Sequence, residues 1–241
     1  VGASTQPRAV EGSYMPCFLV GEGQGRTLAA VLGVPFFPCS HQQGHIAAAA
    51  WSAGREDLLD APHLAWHLSG GTTELLYVRP SGHLIEAQLI GGTQDISAGQ
   101  LVDRIGVAMG LEFPAGKGLD ALSLQSGKED SFLVKTKDGK FSLSGMENKI
   151  RGMLESGADK PDVARFTLET IASVLIRTTA WARERYGDLP LLCSGGVASN
   201  TLLRRRLEGL GAVFAPPKYS VDNALGVAIL ARRGLERGAE R

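Results

Sequence analysis

The sequence predicts an α/β protein of ribonuclease-H-like order, in which helices flank a mixed sheet and the fold is present in one complete and one partial copy. From residue 63 onward three strands precede a helix, and after an insertion the order continues helix, strand, helix, strand, helix. The residues before 63 alternate strand and helix, which is typical of a parallel sheet covered by helices. A chain of 241 residues with 31 glycines and 44% hydrophobic residues can bury the core of such a fold.

The partial copy is predicted at residues 1–62. Its strands are "VGAST" and "PFFPCS", and its helices are "YMPCFLVGEGQGRTLAAVLG" and the segment after Ser40. Ser40 and Gln43 form an S-x-x-Q pattern, which predicts a capping box at the start of the second helix. The chain opens at Val1 in what resembles the middle of a fold, so we expect a fragment of a domain, ending in the polar stretch "SAGREDLLDAP" near Pro62.

The complete copy is predicted at residues 63–241, with an insertion at about 111–160. It opens with strand, glycine turn and strand in "HLAWHLSGGTTELLYV" and a third strand in "GHLIEAQLIGGT". Ser97 and Gln100 predict a second capping box, for a helix through Gly110. The insertion carries a hairpin signal at Asp138-Gly139 and a helix near 146–155. Helices then follow at "DVARFTLETIASVLIRTTAWARERYG", "SNTLLRRRLEGLG" and "DNALGVAILARRG", and strands at "LPLLCSGG" and "AVFAPP".

Charge and cysteine content exclude several classes of protein. Lysine plus arginine equals aspartate plus glutamate at 25 each. No global field therefore draws the chain onto nucleic acid, and any such surface must be a local patch. The cysteines at 17, 39 and 193 are odd in number and lack a C-x-x-C motif, so we expect buried thiols in a reducing cytosol rather than a disulfide framework. No apolar run has membrane-spanning length and no signal peptide is evident, which predicts a cytoplasmic protein without a membrane partner.

Two histidines four residues apart suggest a metal site. His41 and His45 lie on one face of the predicted helix and can share one ion, although two polar residues at an exposed helix start are an equal alternative. Asp222 and Asn223 are expected in the first turn of the last helix, where a carboxylate usually caps the helix or interacts with its dipole. With the two histidines, Asp222 would complete a two-histidine, one-carboxylate set that suits zinc or iron.

The first of two glycine turns lies in "LSGGTTEL". Gly70 and Gly71 let the backbone pass close to a ligand, and Ser69, Thr72 and Thr73 supply hydroxyl groups. The pattern fits a cradle for a phosphate or carboxylate, and a plain hairpin turn is the alternative.

The second glycine turn lies in "LLCSGGVASNTLL". A buried strand breaks at Gly195-Gly196 and a helix begins near Ser199, so free amide donors face whatever lies beyond the strand end. A nucleotide fits there, and a tight strand-to-helix crossover is the alternative.

Six segments together resemble one family, in the same order along nearly the whole chain. They are "SHQQGHIAAA", "LSGGTTEL", "DISAGQLVDRIGVAMGLEFPAG", "FSLSGMEN", "CSGGVASNTLLRRRL" and "SVDNALGVAI". They are similar to the tRNA threonylcarbamoyladenosine synthases, formerly called O-sialoglycoprotein endopeptidases. The resemblance implies the actin, hexokinase and heat-shock chaperone superfamily, with two ribonuclease-H-like domains around a nucleotide cleft.

The resemblance also implies an activity, ligands and partners. A threonylcarbamoyl group would pass from its adenylate to the exocyclic amine of the adenosine beside the tRNA anticodon, with amides of the glycine turns stabilising developing charge. In bacteria such proteins work with a smaller paralogue, a P-loop ATPase and a separate enzyme that makes the adenylate. By resemblance the metal ligands are His41, His45 and Asp222; the phosphate or carbamoyl neighbours are Ser69, Gly70 and Gly71; the ribose side has Asp103, Gly116 and Asp120; and Asn200 lies near the adenine.

The sequence departs from the family pattern at several positions. The family usually has glutamate at position 43, histidine at 72 and glutamate at 100, where this chain has Gln43, Thr72 and Gln100. Gln43 can cap a helix but cannot act as a base or an anionic partner of a metal ligand. Asp95 is retained, but the acid that often follows it is replaced by Ile96. The family's opening strands and first phosphate loop have no counterpart in these residues.

Three functions therefore stay open. The first is a metal- and nucleotide-binding transferase acting on tRNA. The second is an inactive or regulatory paralogue that acts as a binding module, with dimerisation through the helices of the partial domain. The third, a metallopeptidase, is disfavoured because H-x-x-x-H here lacks the glutamate that activates water. The cluster at 204–206 could contact RNA phosphates, although three consecutive arginines on a helix point in different directions.

Overall fold

The computed structural model describes residues 1–239, and these form nine strands, eight α-helices and three short 3-10 helices. This mixed α/β architecture confirms the predicted fold class. The strands are β1 (Gly2–Gln6), β2 (Phe37–Ser40), β3 (His63–Leu68), β4 (Thr73–Ser81), β5 (Leu84–Thr93), β6 (Thr136–Lys137), β7 (Lys140–Phe141), β8 (Leu191–Ser194) and β9 (Ala212–Phe214). The helices are α1 (Pro16–Leu32), α2 (His41–Ser52), α3 (Ala98–Ala108), α4 (Gly116–Ser123), α5 (Ser144–Glu155), α6 (Lys160–Tyr186), α7 (Thr201–Glu208) and α8 (Leu225–Ala239).

The chain divides by contacts into two compact units. The first contains Val1–Ala65, Tyr77–Gln88 and the described part of Ala215–Arg241, and the second contains Trp66–Leu76 and Leu89–Phe214. The C-terminal segment from residue 215 thus belongs to the same unit as the N-terminal residues, whereas the predicted domains place it in the second domain. A division of the chain by contacts need not coincide with the boundaries of two related domains. The predicted boundaries 1–62 and 63–241 therefore stay a prediction.

In the first unit, β1 and β2 pair in parallel with Gly2 opposite Phe37, as the β-α-β order predicts. Helix α2 packs against α8, and the alanines Ala47–Ala50 of α2 are all buried. The two backbones lie close together at Gly44 and Gly226, where a Cβ on Gly226 would lie 1.8 Å from the carbonyl oxygen of Gly44. Glycine at 226 is therefore a condition of this helix crossing.

A seven-stranded sheet has the strand order β6-β7-β5-β4-β3-β8-β9, and the second unit contains β6 to β9 together with parts of β3, β4 and β5. Strands β8 and β9 are parallel, as are β5 and β7. The long helix α6 is joined to the sheet by a 2.9 Å hydrogen bond that the buried Trp66 indole donates to Thr179. This sheet places the ends of β3 and β8, which carry both glycine turns, on neighbouring strands.

Local signals predicted most of the elements correctly. Both capping boxes are present, at Ser40 with Gln43 and at Ser97 with Gln100. The hairpin turn at Asp138-Gly139 has φ values of 50° and 75°, which matches a two-residue turn of the type that twisted strands favour.

Three expectations were wrong. Within the insertion a hairpin and a helix near 146–155 were predicted, and helix α4 was not. Its start was missed because it has glycines at 116 and 118 and no capping side chain at Ala115. Helix α8 begins at Leu225, so Asp222 and Asn223 precede it; the Asn223 side chain accepts a 3.0 Å hydrogen bond from the Leu225 amide. Of the thiols, Cys39 and Cys193 are buried, but Cys17 is exposed on α1. No helix within residues 1–239 is long and apolar enough to cross a lipid bilayer.

Candidate metal centre and ligand loops

Three donor atoms converge at the start of α2. The Nε2 atoms of His41 and His45 are 3.0 Å apart, and Asp222 Oδ1 lies 3.4 Å from the first and 3.2 Å from the second. Two ligands about 2.1 Å from one ion are about 3.0 Å apart at right angles and about 3.4 Å apart at the tetrahedral angle. The three separations therefore fit a single ion held by two imidazoles and a carboxylate.

Local structure and helix packing both create this cluster. The capping box at Ser40 starts α2 so that His41 and His45 lie one turn apart. The close crossing at Gly44 and Gly226 then brings the segment just before α8, with Asp222, to the same place. The prediction that the histidines and Asp222 meet thus agrees with the geometry of the first unit.

Exposure and charge suit metal binding here. The side chains of His41, His45 and Asp222 are 39%, 18% and 85% exposed, so the cluster is open to solvent on one side. Burial lowers the pKa of His45, neighbouring His41 lowers it further, and Asp222 opposes both. The His45 ring is consequently neutral at neutral pH, which is the form that binds metals. Two imidazoles and one carboxylate leave coordination positions for water or ligand oxygens, an arrangement that suits zinc or iron.

The turn after β3 is held by the start of α3. The Ser69 amide donates to Thr72 O at 2.9 Å, and the Ser97 hydroxyl donates to Gly70 O at 2.6 Å. A Cβ on Gly99 would lie 2.5 Å from Ser69 O, which shows how closely α3 approaches the turn. In contrast, a Cβ on Gly70 would meet no atom within 4 Å. The turn is thus held by α3 on one side and is open at the Cβ position of Gly70, as a ligand-binding loop requires.

Two of the three hydroxyl groups of this turn, those of Ser69 and Thr73, have partners inside the fold. The Ser69 hydroxyl accepts a 3.1 Å hydrogen bond from the Thr72 amide. Thr73 is buried and accepts a 2.8 Å hydrogen bond from Ala98 N. The expectation that Thr73 faces a ligand is wrong, because Thr73 joins β4 to the first turn of α3.

The turn after β8 lies against the end of β3. Gly195 has φ +96°, and a Cβ on it would lie 2.1 Å from Leu68 O. Gly196 has an ordinary helical φ of −61°, and its Cβ position is open. Asn200 caps α7 by accepting a 3.0 Å hydrogen bond from Leu203 N, and its side-chain NH2 group can donate to an adenine.

The predicted ribose-side residues take part in two cross-links within the second unit. Asp103 accepts a 2.8 Å hydrogen bond from Ala115 N, directly before Gly116 at the start of α4. The Asp120 carboxylate accepts from the Thr201 amide at 3.0 Å and from its hydroxyl at 2.8 Å. Asp120 and Asn200 are therefore brought together at the start of α7, and Asp103 and Gly116 at the start of α4.

A histidine and a serine that were not among the predicted site residues lie just before the two glycine turns. His67 Nδ1 lies 3.2 Å from the hydroxyl of Ser194, which lies 3.4 Å from Trp66 O. Each residue closely precedes a glycine pair, and that position is the signal that could have identified them.

A family model described as TsaD, tRNA N6-adenosine threonylcarbamoyltransferase, matches residues 12–229. The chain belongs to this family. A Thermus thermophilus member is 34% identical over 225 residues, which cover 91% of this chain and 67% of the relative. A Streptococcus pneumoniae member is 31% identical over 233 residues, and a Chloroherpeton thalassium member is 32% identical over 248 residues. The chain thus spans about two-thirds of these relatives, and the resemblance drawn from the motifs is confirmed.

Solved structures with low identity show the same fold. The crystal structure of T. kodakarensis HypF has a TM-score of 0.70 at 15% identity, covering 90% of this chain and 39% of that chain. The activator of a 2-hydroxyisocaproyl-CoA dehydratase from Clostridium difficile with bound ADPNP has a TM-score of 0.56 at 14% identity, covering 95% and 85%. These similarities support the ribonuclease-H-like architecture and carry no argument about activity.

Proposed function

We propose that the chain binds one divalent metal ion, iron or zinc, and an adenine nucleotide, and that it transfers a threonylcarbamoyl group from its adenylate to a tRNA adenosine. The convergence of His41, His45 and Asp222 carries this proposal, because their donor atoms all lie within 4.8 Å of one another and can hold a single ion. Family membership supports the transfer reaction and tRNA as the substrate.

The reaction assigns different tasks to the two kinds of site. The amine nitrogen of the adenosine bonds to the carbamoyl carbon, the bond from that carbon to the phosphate oxygen breaks, AMP leaves with the electron pair, and one amine proton passes to solvent. His41, His45 and Asp222 would hold the ion, which when bound polarises the carbamoyl carbonyl. The amides of Gly70, Gly71, Gly195 and Gly196 would bind phosphate and stabilise negative charge.

The ribose and adenine would lie against the cross-links at the starts of α4 and α7. Asp103, Asp120 and Asn200 are held there by main-chain partners, so they would position a nucleoside without reorganisation. A cytoplasmic location, a paralogous partner subunit and a P-loop ATPase stay predictions that accompany this function.

A second candidate is an inactive paralogue that binds the same ligands. The side-chain amide of Gln43 favours it, because no carboxylate from α2 stands between the histidines to accept a proton or balance the ion's charge. Peptide hydrolysis through H-x-x-x-H is disfavoured for the same reason.

A transfer assay distinguishes the two candidates. Purified protein is incubated with threonylcarbamoyl-adenylate, unmodified tRNA and Zn²⁺ or Fe²⁺, with and without cell extract that supplies partner subunits, and the modified nucleoside is measured by mass spectrometry. The transferase is expected to give product that His41→Ala/His45→Ala abolishes. Product absent under every condition, from protein that binds nucleotide and metal, would establish the binding module.

A further inference from the structure

A basic cleft lies in the insertion of the second unit. It has a volume of about 730 Å³ and is lined by Phe132, Leu133, Lys135, Lys137, Lys140 and Arg177, among others. None of its lining residues is acidic. Since the chain as a whole has a formal net charge of 0, this is a local concentration of positive charge.

The lysines are not neutralised within the fold. Lys135, Lys137 and Lys140 are exposed, and within residues 1–239 none of the three forms an ion pair. Lys137 and Lys140 face one another across the antiparallel pair of β6 and β7. Two like charges directly opposite in a sheet destabilise it, so packing alone gives no reason for this arrangement. An anionic ligand placed between them would remove the repulsion.

The segment that carries the lysines is held in place. Arg177 of α6 donates a 2.8 Å hydrogen bond to Val134 O and a 3.1 Å hydrogen bond to the Thr136 hydroxyl. The Phe132 amide donates to the Thr170 hydroxyl at 2.9 Å. The main chain of the cleft is therefore preorganised, and binding has to order only the lysine side chains.

Aromatic and apolar groups adjoin the charges. Phe132 is 38% exposed, with the Lys149 ammonium 5.2 Å from its ring centroid, and Leu133 is 69% exposed. Lysines that contact phosphates beside an aromatic ring that stacks on a base are typical of surfaces that bind single-stranded RNA segments.

The arginine cluster at 204–206 is less suited to this role. Arg206 donates to the buried carboxylate of Glu169 at 2.8 Å, and Arg204 lies over the Phe214 ring at 4.7 Å. Only Arg205 of the three is exposed.

We propose that the cleft lined by Lys135, Lys137 and Lys140 binds the phosphates of a single-stranded RNA segment, with Phe132 stacking on a base. This inference rests on the proposed function, for which it supplies a contact surface for tRNA. An acidic protein could also bind the positive charges of the cleft, and the experiment distinguishes RNA binding from binding of such a protein.

The experiment measures binding of a fluorescent anticodon stem-loop RNA by anisotropy over a series of salt concentrations. Lys137→Ala/Lys140→Ala is expected to weaken binding at least tenfold and to reduce the slope of log K against log salt by about 1.4 to 1.8, which is 0.7 to 0.9 for each lost phosphate contact. The matched control Arg185→Ala/Arg205→Ala removes two exposed charges elsewhere in the same unit and is expected to change binding less than twofold. Lys137→Gln/Lys140→Gln repeats the test should the alanine variant fold poorly.

Several outcomes would overturn the proposal. Equal RNA affinity of the lysine double variant and the arginine double variant would show that the lysines do not bind RNA. If polyglutamate competed as effectively as unlabelled RNA, the cleft would instead bind an acidic protein. Calorimetric titration of AMP is run on the same samples. Normal AMP binding with no RNA binding by the wild type would reject the RNA cleft and leave the nucleotide site of the proposed function intact.

Discussion

The side-chain amide of Gln43 donates a 2.5 Å hydrogen bond to the main-chain carbonyl of Ile85. Its oxygen accepts a 2.7 Å hydrogen bond from Ser40 N, and the residue is only 5% exposed. Position 43 therefore uses a donor as well as an acceptor, which an amide supplies and an ionised carboxylate does not. Gln43 completes the local structure beneath the candidate metal ligands, at a position where the resemblance to the family implies glutamate.

Gln43→Glu is expected to lower the free energy of unfolding by about 1–3 kcal/mol, because a buried carboxylate would face the Ile85 carbonyl without a proton to share. Urea denaturation of metal-free protein at neutral pH measures this. Gln42→Glu, on the same helical turn and half-buried, is the control and should change stability by less than about 0.5 kcal/mol. Equal stability of the two variants would show that the contact with Ile85 does not constrain position 43.

Gly226→Ala is expected to weaken both the fold and the metal site. The new methyl group would lie 1.8 Å from Gly44 O, so α8 must shift away from α2, and Asp222 with it. We expect a loss of about 2 kcal/mol or more in unfolding free energy and at least tenfold weaker Zn²⁺ binding by calorimetry. Gly238→Ala, on the same helix with no atom within 4 Å of its Cβ position, should preserve both. Unchanged Zn²⁺ affinity in Gly226→Ala would show that metal binding does not depend on the close crossing of α2 and α8.

In the second glycine pair, we expect Gly195 to be required for stability and Gly196 to be required for ligand binding. Gly195→Ala is expected to cost about 3 kcal/mol or more, because of its φ of +96° and the contact with Leu68 O. Gly196→Ala should keep the unfolding free energy within about 0.5 kcal/mol and weaken AMP binding, because its methyl group would enter the open side of the turn. Thermal unfolding and calorimetry test the pair. Full AMP affinity in Gly196→Ala would argue against a nucleotide at this turn.

Asp120 and Thr201 should be energetically coupled. Asp120→Ala leaves the first amide of α7 without its carboxylate partner, and Thr201→Val removes the hydroxyl that donates to the same oxygen. Each variant is expected to lose about 1 kcal/mol of unfolding free energy, with a coupling of about 0.5–1 kcal/mol in the double variant. Strict additivity in a double-mutant cycle would show that the contact does not contribute to stability.

Features set by short segments could be predicted from the sequence. The capping boxes at Ser40 and Ser97 and the turn at Asp138-Gly139 depend on residues within four positions of one another, so local chemistry decides them. Helix α4 was missed because its glycines conceal it, and tertiary packing overrides the weak local preference.

Features set by long-range packing could not be predicted from the residues alone. The approach of Asp222 to His41 depends on the crossing of two helices far apart in sequence, and the resemblance to a family, not spacing, linked them. The His67–Ser194 pair joins positions 127 apart. The facing lysines of the basic cleft become visible only once the register of β6 and β7 is known.

The metal centre is the central claim, and elemental analysis of the purified chain beside its His41→Ala/His45→Ala variant tests it most directly. Asp188→Asn, which changes another exposed aspartate, is the control, and titration of ATP or AMP accompanies each sample. We expect one equivalent of zinc or iron in the wild type and the control, its loss in the double variant, and nucleotide binding by the wild type. A folded wild-type protein that takes up neither metal nor nucleotide, even when supplied with both, would contradict it.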